Sequence, residues 1–279
     1  MKKTVRAFAP ANISCIFKPH PKRSPRWSGS LGLGFTLSDG VTVYVSNAQK
    51  TEVFFNKKQI DMPTVMSVLK RLTKKSVLVS IDTTFLLGSG FGISGASALA
   101  TAYAVNSLLN LKKTNKMLAV IAHTAEVENK TGLGDVTNQF FGGFLLKIKP
   151  SSYFDVVKIK TKEKYVYCRV FSPISTKEVL SNTALLTKIE NVAAEALQAI
   201  ENVLQKKNDI ILQDIFAISK TFVVESGLLK NAEVKKTIGE IEKNGGNASM
   251  IILGNAVMST IPFFGATQYE ISDKRAQLL

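Results

Sequence analysis

Apolar positions along the first half of the chain change period several times, and each change marks an element. Alternating or β-branched runs at residues 5–10, 34–47 and 52–60 predict strands. Residues 63–74, "PTVMSVLKRLTK", set Val65, Met66, Val68, Leu69 and Leu72 at helical spacing behind a proline suited to the first helical position. A strand follows in "SVLVSID", then a glycine-rich segment, then a helix from about Ser94 to Asn110. A second helix runs from about Thr114 to Glu128, with Leu118, Ile121, Ala122 and Ala125 on one face. "KTGLGDVTNQ" reads as a turn-rich loop, and "FFGGFLLKIKP" as the strand it leads into.

Pro150 and Ser151-Ser152 mark a boundary, giving units of residues 1–150 and 151–279. The second unit restarts the pattern. "YVYCRVF" is a strand, and residues 191–205, 209–226 and 232–245 are helices, the last stopped by Gly245-Gly246. "ASMIILG" and "AVMSTIPFF" read as a hairpin around Gly254-Asn255. The chain is thus of the α+β class, in two sheet-and-helix halves.

Composition adds three points. At 279 residues and 45% hydrophobic, the chain can bury a full core. Its two cysteines, Cys15 and Cys168, are far apart and in no ligand pattern, which reads as buried thiols in a reducing, cytoplasmic setting. The basic N-terminus contains Pro10 and Asn12, too polar for a signal segment or a membrane span.

The net charge of +15 raises nucleic acid, membrane or anionic small molecules as partners. No zinc-finger spacing, RNP aromatic signature or Lys/Arg-rich reading helix is present, which argues against nucleic acid. Most lysines are scattered along helix surfaces. "KPHPKRSPR", from Lys18 to Arg26, is a concentrated basic loop that could meet an anionic substrate.

Gly88, Gly90, Gly92 and Gly95 stand between a strand and an alanine-rich helix, an arrangement that turns bare N–H groups toward an anion. "GFGISG" satisfies G-x-G-x-x-G, but a dinucleotide fold needs a second strand ending in an acid about 20 residues on. A second helix follows here instead, and no acid occurs between Asp82 and Glu126. A Walker loop needs Gly-Lys-Ser/Thr, whereas Gly95 precedes Ala96-Ser97. A plain core helix accounts for the alanines but not for the glycines and serines at its start. What remains is a loop that wraps nucleotide phosphates at a helix N-terminus without a lysine, with the Ser94 hydroxyl in reach of a metal or a phosphate.

These residues resemble the second motif of the GHMP kinase superfamily (galactose, homoserine, mevalonate and phosphomevalonate kinases), commonly Pro-x-x-x-Gly-Leu-Gly-Ser-Ser-Ala. The stretch Gly90 to Gly95 matches its core, with Leu86 in place of the proline and Ile93 in place of the first serine. Downstream, "AHTAEVENKTGLGDVTNQFFGG" resembles the superfamily's Glu-then-Asp segment, Asp135 preceding Gly142-Gly143. The resemblance implies a GHMP kinase fold, with an N-terminal half like domain 2 of ribosomal protein S5 and a ferredoxin-like C-terminal half. It further implies ATP and Mg²⁺, with the substrate in a cleft between the halves. Gly88, Gly90, Gly92, Ser94, Gly95, Ala96 and Ser97 would meet the phosphates, Ser94 and Glu126 would hold Mg²⁺, and Asp135 would accept the substrate hydroxyl proton. Glu128 competes as a metal ligand but points off the Glu126 face of its helix.

Within that superfamily the chain resembles the archaeal pantoate kinases. The matching segments are Ala7-Phe8-Ala9-Pro10, a Ser/Gly-rich stretch from Ser28 to Gly34 before the second strand, His123 ahead of Glu126, Gly132 to Val136, and Ala248 to Gly254. The resemblance implies a small hydroxy-carboxylate such as pantoate as acceptor, bound through Ser28, Ser30, His123 and Lys147. Two positions depart from the pattern. Asn12 stands where many superfamily members carry a lysine, and Lys147 stands where pantoate kinases tend to have an arginine. Lysine keeps the charge but loses bidentate carboxylate geometry. A homoserine- or mevalonate-type kinase, or a basic nucleic-acid-associated protein on an S5-like fold, are the other readings. Oligomeric state stays open, a homodimer included.

Overall fold

The computed structural model describes residues 3–206 and 211–279. Strands β1 (Thr4–His20) and β2 (Gly29–Asn47) form a long antiparallel hairpin that organises the first sheet. β3 (Glu52–Phe55) and β4 (Lys58–Gln59) make a short hairpin, turned by Asn56 and Lys57 at φ 46° and 68°. The single strand expected over residues 52–60 is therefore two. Helix α1 (Pro63–Leu72) begins on its proline and crosses to β5 (Val77–Asp82), which pairs antiparallel with β2 and parallel with β3.

The first strand runs well past Pro10, where the sequence pattern ends it. The β1–β2 register shifts between Pro10 and Asn12 and again between Ser14 and Ile16, and such irregularities tolerate proline and re-aim neighbouring side chains. The Ser/Gly-rich stretch expected ahead of the second strand lies inside it, because β2 starts at Gly29.

Helix α2 (Ile93–Leu108) lies against β1, β2 and α1, and also against α3 (Asn115–Asn129). It is buried on nearly every side, so its alanines let four neighbours approach closely. The expected loop over 130–139 contains a helix, α4 (Asp135–Phe141), bounded by Gly134 and by Gly142 at φ 67°. Seven residues are too few for a readable period. Strand β6 (Phe144–Lys147) pairs with β2, and β7 (Val157–Ile159) extends the first sheet beyond Pro150.

The second sheet starts at β8 (Tyr165–Ser172). After it come α5 (Thr176–Ser181), which the pattern did not reveal, and α6 (Thr183–Lys206), which starts earlier than the expected residue 191. The helix expected over 209–226 is α7 (Leu212–Glu225); residues 209 and 210 lie outside the described residues. α8 (Ala232–Lys243) ends at Asn244 and Gly245, the latter at φ 80°. Strands β9 (Ala248–Met250) and β10 (Asn255–Ser259) form the expected hairpin. β11 (Thr267–Glu270) and β12 (Gln277–Leu278) complete the chain.

The second sheet is antiparallel in the order β11-β8-β10-β9. In chain terms that is fourth, first, third, second, the ferredoxin-like order. β12 returns to pair with β1, tying the C-terminus to the first sheet. Cys15 and Cys168 are free and buried, as their isolation predicts. Among the described residues no helix is long and apolar enough to cross a membrane.

Candidate active site

A cleft of about 320 Å³ opens between the two sheets, walled by the glycine loop, the start of α1, the segment before α4 and the start of α5. The loop owes its path to Gly88, Gly90 and Gly92, at φ 75°, 87° and 63°. Phe91 anchors it from beneath at 1% exposure, its ring 4.8 Å from Phe85 and 5.6 Å from Tyr269. Burying such a ring contributes roughly 1.5–3 kcal/mol. Loop carbonyls are tied outward: Asn12 N donates to Phe91 O (2.9 Å), Ile174 N to Gly88 O (2.8 Å) and Gln139 Nε2 to Gly92 O (2.8 Å). Gly92 caps α2 without a side chain, which leaves the first-turn N–H groups of that helix for a ligand. Gly88, Gly90, Gly92 and Ser94 line the cleft; Gly95, Ala96 and Ser97 do not, and Ser97 Oγ returns to Ile93 O at 2.7 Å.

Two carboxylates converge beside the loop. Glu126, on α3, is 1% exposed. Its Oε1 accepts from Thr131 Oγ1 at 3.1 Å, and Thr131 Oγ1 joins Thr64 Oγ1 and Ser94 Oγ in a chain of hydroxyls. Its Oε2 is buried without a hydrogen-bond partner, as is Gln139 Oε1. Gly95 and Gly132 shape this slot, since a Cβ on either would stand 2.7 Å or 2.5 Å from Oε2. Burial pushes the Glu126 carboxyl up to about 8, the charge on Asp135 adds to the rise, and the nearby Thr131 and Ser94 hydroxyls oppose it.

Asp135 opens α4 at the cleft wall. Asn12 Nδ2 donates to its Oδ1 at 2.7 Å, and the Ser14 hydroxyl lies nearby. Burial raises the Asp135 carboxyl above the usual range, while Lys147, Asn12 and Ser14 draw it back. Oδ2 lies toward Gly132.

The four residues expected on the acceptor side fall into two groups. Ser30 lines the cleft, and Lys147 stands directly behind: a Cβ on Gly134 would meet Ser30 Oγ at 2.6 Å and Lys147 Nζ at 2.8 Å. Lys147 is 3% exposed, and burial lowers its ammonium to about 8 against the pull of Asp135. Ser28 and His123 do not line the cleft. His123 Nε2 bonds Ser28 O at 2.8 Å, and burial lowers the imidazole to about 4, so it is neutral. Ser28 Oγ accepts from Lys22 N (2.8 Å) and donates to Lys22 O (3.0 Å), which pins the basic loop. None of the cations from Lys18 to Arg26 lines the cleft; among the described residues Lys177 is the one cationic side chain that does.

The donor set fits a hard divalent cation. Ser94 Oγ, the orphaned Glu126 Oε2 and the orphaned Gln139 Oε1 are all oxygens, as Mg²⁺ prefers. No group of three or more His, Cys, Asp or Glu is found among the described residues. Glu128 is elsewhere, paired with Arg71 at the surface.

Residues 63–143 match the family model for the GHMP kinases N terminal domain. The pantoate kinase of Methanospirillum hungatei is 31% identical over 263 residues, covering 91% of this chain and 86% of that one. The pantoate kinase of Methanocaldococcus jannaschii is also 31% identical, with 90% of each chain covered. The chain belongs to the pantoate kinase family of GHMP kinases. A solved structure described as a phosphotransferase related to the CoA biosynthesis pathway superposes with a TM-score of 0.84 at 27% identity, over 99% of each chain.

Sequence reasoning about this family member missed Ser14, Thr64, Thr131, Asn138 and Gln139. They carry no motif of their own and reach the site from separate elements. Asn12 was visible only as a departure from a lysine.

Proposed function

We propose that the protein transfers the terminal phosphoryl group of ATP to the terminal hydroxyl of pantoate, forming 4-phosphopantoate and ADP on the path to coenzyme A. One observation carries this reading: Asp135 stands between the phosphate-loop helix and the Ser30–Lys147 pair, on the wall of a single cleft. The relatives named pantoate kinase and the phosphotransferase related to CoA biosynthesis support the choice of acceptor.

In this reading Gly88 to Ser94 cradle the nucleotide phosphates through backbone N–H groups, and Lys177 meets them from the facing half. Ser94 and Glu126 hold Mg²⁺, which when bound neutralises charge on the phosphate oxygens. Ser30 receives the pantoate carboxylate, the Lys147 ammonium behind it supplies positive charge, and Ser28 and His123 hold the strand end from which Ser30 projects. Asp135 Oδ2 takes the hydroxyl proton as the new O–P bond forms and the bond to ADP breaks. Its raised pKa makes it a better acceptor than an ordinary carboxylate. Residues 1–150 thus carry the phosphate loop and both acids, and residues 151–279 close the cleft. The free, buried thiols fit a reducing cytoplasm.

The test is ADP release by purified protein with ATP, Mg²⁺ and, in turn, (R)-pantoate, homoserine, mevalonate or no acceptor. Pantoate-dependent release is expected. Turnover of homoserine or mevalonate with pantoate inert would refute the acceptor assignment, and salt-sensitive RNA or DNA binding without ATP turnover would refute the whole reading.

A further inference from the structure

A row of buried hydrogen bonds runs from β6 to the cleft through two residues that none of these roles uses. Lys147 Nζ donates to Asn138 Oδ1 at 3.1 Å, Asn138 Nδ2 donates to Asn12 Oδ1 at 2.7 Å, and Asn12 Nδ2 donates to Asp135 Oδ1 at 2.7 Å. Asn12 and Asn138 are both 0% exposed, so neither amide can exchange its partner for bulk water.

The direction of the row is dictated by its ends. An ammonium has only donors, so it takes the oxygen of Asn138. The nitrogen of Asn138 then faces Asn12, which must present its oxygen there and its nitrogen to Asp135. An ionised carboxylate has only acceptors, so the last bond matches. Flipping either amide would set oxygen against oxygen and N–H against N–H, in surroundings where each unsatisfied group costs about 1–3 kcal/mol. Both terminal bonds involve a charged group and are the stronger for it.

The anchors lie on three different elements. Asn12 sits on β1 beside the register shift that follows Pro10, and Lys147 ends β6. Asn138 lies one turn after Asp135 on α4, so the row fixes that short helix at two points.

We propose that Asn12 and Asn138 are positioning residues for Asp135. They hold Oδ1 away from the reaction, leave Oδ2 free for the substrate hydroxyl, and link the carboxylate to the Lys147 ammonium through two oriented amides. This rests on Asp135 being the proton acceptor, as argued above. It also accounts for a chain without a lysine at position 12, because the cation reaches the same carboxylate from β6.

Two measurements test it. In the first, the side-chain amide resonance of Asn12 is followed by NMR in ¹⁵N-labelled protein. Lys147→Met should shift it although the two side chains are separated by Asn138, and an unmoved resonance would overturn the row. In the second, Asn12→Ala, Asn138→Ala and the double variant are assayed with ATP and pantoate. Each single variant should lower kcat ~10- to 100-fold, the scale of a misplaced catalytic group, with KM for ATP and pantoate within about two-fold of the parent.

The double variant should be no worse than either single one, because both break the same row. Losses that multiply, or that fall on KM, would overturn the proposal. Asn138→Asp guards against a folding defect: it still accepts from Lys147 but cannot donate to Asn12, and should lose kcat as Asn138→Ala does. Were the parent inert with pantoate, the acceptor assignment would fail while the NMR experiment still decides the row.

Discussion

Gly95→Ala sets two opposed effects against each other in one methyl group. Inside a helix, replacing glycine by alanine normally stabilises by about 1 kcal/mol. Gly95 lies in α2, but a Cβ there would stand 2.7 Å from Glu126 Oε2 and 2.9 Å from Gln139 Oε1. To reach ordinary contact at 3.4 Å, the carboxylate oxygen must retreat roughly 0.7 Å. It is confined on the other side by Gly132, so the retreat drags the whole carboxyl group. Overpacking of this kind costs ~1–3 kcal/mol, so the net stability change runs from near zero to a loss of about 2 kcal/mol. Catalysis separates the effects more sharply. A shift approaching 1 Å in a catalytic group costs up to ~100-fold, and a reduction in kcat of about 10- to 100-fold with a raised Mg²⁺ requirement is expected. The assay is ADP release across a Mg²⁺ titration, paired with urea unfolding. Gly239→Ala is the control: it lies in α8 with nothing within 4 Å of its added Cβ, and should gain stability without touching activity. A Gly95→Ala protein stabilised like the control, with parental Mg²⁺ dependence, would refute the confined slot and the metal role drawn from it.

Asp135→Asn should retain nucleotide binding, seen by fluorescence titration, and lose ~10²–10⁴-fold in kcat; a loss of only a few-fold would leave Asp135 as a helix-starting residue. Without metal, Glu126 should make stability depend on pH. Its pKa rises from 4.5 in the unfolded chain to about 8 in the folded protein, so its contribution is complete below pH 4.5 and is lost as pH rises through about 8. Glu126→Gln in EDTA should therefore unfold at a higher temperature than the parent at pH 8 and show a flatter profile between pH 5 and 8; parallel profiles would contradict this. Lys177→Ala should raise KM for ATP about ten-fold with kcat little changed, as expected of a charge that binds phosphates equally in ground and transition states; an unaltered KM would remove Lys177 from the site. Glu128→Gln breaks an exposed pair with Arg71 and should alter stability by less than about 1 kcal/mol and Mg²⁺ activation not at all.

The amino-acid sequence by itself determined what depends on neighbours along the chain. Apolar period located α1, α3 and α8, a continuous run of small and apolar residues behind the glycines located α2, and the Pro63 start and the Gly245 stop followed from backbone chemistry that needs no tertiary partner. The glycines at 88, 90 and 92 announced a loop between a strand and a helix, and the structure has it, with positive φ at all three. Short elements escaped because their stability comes from packing: α4 is seven residues long and holds its shape between β1, β2, α2 and α3. The continuation of β1 through Pro10 likewise depended on a register irregularity supplied by its partner strand. Ser94, Glu126 and Asp135 could be named as candidates from the resemblance to known motifs. Their environment could not: Asn12 meets Asp135 across 123 residues and Asn138 across 126. The same folding buries Lys147 and Glu126 deeply enough to shift both toward a pKa of about 8. Desolvation and hydrogen bonding between distant segments exist only once the chain has closed on itself, and so only the tertiary structure decided how the acids are charged, held and aimed.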